Sequence, residues 1–89
     1  MKREEIEQRF LEAGWELDGS FEDYLLIGHN AERISLLAHR EYWGTDNPVF
    51  ELLDYEQMTT YWVNEVPTPQ HATQLLREHG RLPEEWDLP

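Results

Sequence analysis

With 89 residues the chain has room for one core, because domains of this size bury only about 60 to 65% of the surface their unfolded chains expose, and a second domain is excluded. The composition is 39% hydrophobic and 12% aromatic, with Trp 4, Tyr 4 and Phe 3, which is enough large apolar surface to exclude a disordered chain except at its ends. Asp+Glu 19 against Lys+Arg 7 leaves a formal net charge of -12, which disfavours direct binding of nucleic acid or a membrane surface and favours a basic protein partner.

Within residues 3–13 the apolar side chains Ile6, Phe10 and Ala13 fall at i, i+4 and i+7, predicting an amphipathic helix stopped by Gly14. Glu4, Glu5 and Glu7 lie near its positive dipole end, a structural reason for their presence. Trp15 and Leu17 then alternate with Glu16 and Asp18 before Gly19 and Ser20, predicting a short first strand and a turn. Residues 24–28 and 33–39 read as the next two strands, joined by a tight turn at 29–32 that contains Asn30. Residues 40–48, with Gly44, Asp46, Asn47 and Pro48, form the longest predicted loop. A second hairpin is expected from strands 49–54 and 59–64, connected through 55–58. Thr68 and Pro69 supply a helix start, predicting a last helix over 69–79 with an inward stripe of Ala72, Leu75, Leu76 and His79, ended by Gly80.

These elements define an α+β fold: a small antiparallel β-meander of four to five strands with an N-terminal and a C-terminal helix, in the order α-β-β-β-β-β-α. A single domain spans 1–89, with 84–89 expected as a loose acidic tail.

Alternation along the strands predicts which residues share a face. Leu25 and Ile27 are expected beside Ile34 and Leu36, Leu52 opposite Tyr61, and Phe50 opposite Val63; with Ile6, Phe10, Leu75 and Leu76 they form the predicted core. The opposite face then receives Tyr24, Leu26, Leu37, Leu53 and Trp62, more apolar than a solvated sheet face usually is. Two occupants are expected for it: the second helix, with one helix on each side of the sheet, or a partner, either a second copy or another protein, anchored by Trp62. In the loop, Tyr42 and Trp43 are expected at or near the surface as recognition residues, the alternative for Trp43 being a lid folded onto the core. The predicted partner-binding set is therefore Tyr24, Leu26, Leu37, Tyr42, Trp43, Leu53 and Trp62.

Signals for chemistry are sparse. The chain has no cysteine, and His29, His39, His71 and His79 lack ligand spacing, the last two lying eight positions apart, so no metal is expected. Ser20 and Ser35 are the only serines and neither sits in a Gly-x-Ser-x-Gly elbow, while the five glycines are isolated and cradle no phosphate. Carboxylate pairs such as Glu22-Asp23 and Glu84-Glu85 are chance in so acidic a chain. No catalytic residue and no cofactor is expected, and the leading expectation is a non-enzymatic module that binds a basic protein through an apolar and aromatic sheet face. One alternative is an inhibitor or immunity-type protein that blocks a nucleic-acid-binding enzyme by acidic mimicry. Another is a small enzyme or ligand-binding domain with a pocket between sheet and helix at His79 or Tyr61. No apolar stretch follows Lys2 and Arg3 and none reaches membrane-spanning length, so a cytoplasmic location is expected.

Overall fold

The computed structural model describes residues 2–18, 25–29, 34–45 and 47–82, with the backbone alone at Leu25 and Leu26. The turns predicted at 19–20 and 30–32, the tail 84–89 and Tyr24 lie outside the described residues. Helix α1, Arg3–Ala13, forms over the predicted span and buries Ile6 and Phe10. Gly14 ends it at φ 104°, a left-handed conformation that glycine adopts without a Cβ clash, and its N–H returns to the Leu11 carbonyl at 3.1 Å.

Five strands follow: β1 Glu16–Leu17, β2 Leu25–His29, β3 Ile34–His39, β4 Phe50–Asp54 and β5 Thr59–Val63, hydrogen-bonded in chain order and all antiparallel. The long loop opens with a 3₁₀ turn, Arg40–Tyr42. Helix α2, Pro69–His79, starts as its sequence requires: the Thr68 hydroxyl oxygen accepts from the His71 N–H at 3.1 Å, and Pro69 stands where no amide donor is needed. At its other end Gly80 is extended (φ -60°, ψ 139°) rather than left-handed, and leads the chain into a single antiparallel bridge between Arg81 and Thr60. The fold is thus the predicted α+β meander with a helix at each end. Among the described residues no helix is long and apolar enough to cross a membrane.

Both helices lie on one face of the sheet. Ile6 and Phe10 from α1 and Ala72 and Leu76 from α2 join Ile34, Leu36, Ala38, Phe50 and Leu52 in one buried cluster, so the architecture is two layers and not the sheet between two helices. The β4–β5 register is the predicted one, with Leu52 opposite Tyr61 and Phe50 opposite Val63. The β2–β3 register is not. Ile27 pairs with Leu37, and β2 runs on to His29, which pairs with Ser35, so Ile27 shares a face with Ser35 and Leu37 and not with Ile34 and Leu36. A register different by one residue exchanges the two faces of one strand relative to the other. Ile27 is buried, but on the side away from the helices.

Opposite Leu36 the helix side has Gly28, and this explains how α1 comes so close. A Cβ at that position would stand 2.8 Å from Phe10 Cδ2 and 3.1 Å from Trp15 Cβ, so the missing side chain is the recess that the Phe10 ring fills. Trp15, which alternation assigned to a strand, is a core residue at 2% exposure, and its indole N–H donates to the Pro67 carbonyl at 2.7 Å.

Candidate functional site on the face of the sheet away from the helices

Directly paired residues share a face, so the register sets the side away from the helices as two rows running across the strands. One row is Ile27, Leu37, Glu51 and Trp62, and the next is His29, Ser35, Leu53 and Thr60. No described helix packs on this side. Apolar and hydrogen-bonding residues are mixed within it, so the face is more polar than Leu26, Leu37, Leu53 and Trp62 alone led one to expect.

Two polar lines tie the strands together. The His29 ring contacts Ser35 Oγ through Nδ1 and Asp18 Oδ2 through Nε2, each at 3.0 Å. An ionised carboxylate only accepts, so Nε2 carries the proton and Nδ1 faces the hydroxyl. Hydroxyl, imidazole and carboxylate in line resemble the components of a nucleophilic relay, but Ser35 is only 1% exposed. A nucleophile must come within about 3–3.5 Å of its target, and a hydroxyl closed off from solvent meets none in this arrangement. What the line does here is join β2, β3 and the end of β1. The second line runs from His39, whose Nε2–H donates to Glu51 Oε1 at 3.0 Å, to Thr60, whose hydroxyl donates to Glu51 Oε2 at 3.0 Å. No buried side-chain polar atom among the described residues lacks a partner.

Aromatic rings stand over the second line. Trp62 stacks on His39 with centroids 5.5 Å apart and planes 30° from parallel. Tyr42, delivered by the 3₁₀ turn, meets Trp62 edge to face at 6.0 Å and 78°. Trp62 is nevertheless 42% exposed, the largest exposed aromatic of the described residues on this face, whereas Leu37 beside Glu51 is 8% exposed.

Of the residues expected to bind a partner, the structure brings Leu37, Tyr42, Leu53 and Trp62 to one surface. Leu26 pairs with Ala38, so Ile27 and not Leu26 is the β2 residue beside Leu37. Trp43 is elsewhere: it is partly buried against the helix-side core and its indole N–H donates to the Ala38 carbonyl at 3.1 Å, the lid arrangement. Tyr42 and Trp43, adjacent in sequence, therefore serve opposite sides of the sheet. Sequence reasoning missed Asp18, His29, Ser35, His39, Glu51 and Thr60. Their signal was the alternation itself, since polar residues at 35, 39, 51 and 60 recur at the period that leads to one face.

Tyr61 and His79, the pair expected for a ligand pocket, stack at 5.2 Å and line an open cleft of about 640 Å³ between β5 and the end of α2. Among the described residues no group of three or more His, Cys, Asp or Glu is placed to hold a metal ion. No protein-family model matches the chain, and none of the curated proteins or solved structures compared with it does so either.

Proposed function

We propose that this protein is a non-enzymatic interaction module that binds a basic protein partner through the face of its sheet that lies away from α1 and α2. The observation that carries this reading is the state of Trp62: a large indole held in a fixed orientation by His39 and Tyr42, yet 42% exposed on a face with no described helix over it. Preorganised tryptophans of this kind act as binding anchors worth roughly 2 kcal/mol or more, because little rotamer freedom is lost when the partner arrives. Leu53, half-buried in the neighbouring row, adds apolar surface.

Charge selects the partner. Glu16, opposite His29, is exposed at the margin of the same face, Asp18 follows two residues on, Glu41 is next to Tyr42, and the whole molecule carries -12. A basic surface is attracted by this field and a second copy, bringing its own -12, is repelled.

The test is capture from a lysate of the source cells on immobilised protein, at low and at high salt, with Trp62→Ala and Leu53→Ser alongside the unaltered chain. The expected result is a basic protein, identified by mass spectrometry, held at low salt, released at high salt, and lost with Trp62→Ala while that variant still melts cooperatively. Retention indifferent to both substitutions overturns the reading, as does recovery of this chain alone.

A further inference from the structure

We infer that the outer edge of β5 accepts an extended, basic peptide segment as an added strand, in the trough between β5 and α2. This rests on the proposed role as an interaction module and gives it a second contact, at a main-chain edge rather than at the sheet face.

The main-chain geometry comes first. Strand β5 ends the sheet, with β4 on its inner side. Thr60 donates its N–H to the Arg81 carbonyl at 3.0 Å and accepts from the Arg81 N–H at 2.9 Å, so both its peptide groups point outward, away from β4. In a strand this direction repeats every second residue, and the N–H and C=O of Trp62 point outward too. Among the described residues neither has a partner. The chain thus pairs one position of this edge with its own Arg81 and leaves the next open.

The space beside that open position is shaped for a strand. Two clefts, of about 640 and 520 Å³, flank the edge on the side of α2 and share Tyr61 and Trp62 in their linings, so they meet along β5. Leu75 of α2 lines the second cleft as an apolar floor beside Tyr61 and Val63. An extended segment lying there hydrogen-bonds Trp62 through its backbone and lays every second side chain on Leu75 and Tyr61, the arrangement in which main-chain bonds give affinity and alternate side chains give selectivity.

Charge identifies the occupant. Glu78 and Arg81 line one cleft and Glu65 the other, all exposed, so the two clefts together carry one net negative charge, within a molecule of net charge -12. Edge-to-edge pairing of two copies would bring two such charges together, whereas an added strand with lysine or arginine at alternate positions neutralises them.

The experiment is amide NMR of the intact ¹⁵N-labelled chain titrated with a short, end-blocked peptide alternating valine and lysine. Its controls are a version with glutamate for lysine and two versions N-methylated at every second residue, one in each phase. The expected result is perturbation of Tyr61, Trp62 and Asn64, slowed exchange of the Trp62 amide, and about fivefold or greater weakening by one of the two methylated phases, the worth of roughly one net hydrogen bond. The glutamate peptide should not bind. No change at Trp62 with millimolar peptide overturns the inference, as does binding indifferent to methylation in either phase. Slowed Trp62 exchange that rises with protein concentration and without peptide assigns the edge to a second copy and overturns it too. Failure here with partner capture still lost on Trp62→Ala leaves the face reading standing. Success here with capture indifferent to Trp62→Ala and Leu53→Ser removes the face and keeps the edge.

Discussion

The two faces of the sheet are built on different physics. On the helix side Ile34, Leu36, Phe50 and Leu52 meet Ile6, Phe10, Ala72 and Leu76, and contact is almost wholly apolar, so stabilisation follows the area removed from water, about 25 cal/mol per Å². On the other side the rows mix leucine and isoleucine with histidine, serine, glutamate and threonine, joined by the His29 and His39 lines. Apolar contact tolerates sliding; a hydrogen bond between named atoms does not. The helix side therefore supplies most of the folding energy, while the other side holds the register and presents Trp62 in one orientation.

The largest expected effect is on the helix side. Phe10→Ala empties the recess over Gly28 and removes the edge-to-face contact with Phe50, whose centroid is 6.1 Å away, and should destabilise by about 3–5 kcal/mol in urea denaturation. For a chain of this size that is a large share of the stability, so the variant is expected to be folded only marginally at room temperature. Leu37→Ala is the substitution most able to break the comparison, since Leu37 is buried on the side away from α1 and α2; a loss of about 2–3 kcal/mol is expected. A loss as large as that of Phe10→Ala would make the two faces equal partners in stability.

Glu51→Gln keeps the shape of the second polar line but turns one of its two acceptor oxygens into a donor, so His39 or Thr60 must accept there instead of donating and the charge-assisted character of both bonds is lost. The expected loss is about 1–2 kcal/mol, with Thr60, at 2% exposure, least able to turn to water instead. Trp62→Ala should have the smallest effect on stability, about 1 kcal/mol or less, the worth of its two ring contacts, while removing the proposed anchor. The ratio of lost binding to lost stability is the quantity that sharpens the contrast: large for Trp62, small for Phe10.

The limits of both helices and the β4–β5 register were determined by the sequence itself, because their signals are local. Gly14 can take a positive φ, Thr68 and Pro69 cap and start a helix wherever they stand before an apolar stripe, and Phe50 to Asp54 alternates too plainly to slip. The β2–β3 register was not legible in this way. Leu25, Leu26 and Ile27 form an unbroken apolar run that suits either face, and only the pairing of His29 with Ser35 chooses between them. Tertiary structure also decided the fate of the tryptophans. The indole N–H of Trp15 finds a carbonyl 52 residues away and that of Trp43 one only five residues away, and nothing in their own neighbourhoods distinguishes them from Trp62, which finds none among the described residues and is left exposed. That both helices share a face was decided there as well, since helical periodicity says that a stripe must be buried but not against which side of a sheet, and it is Gly28 that gives the Phe10 ring its room on one of them.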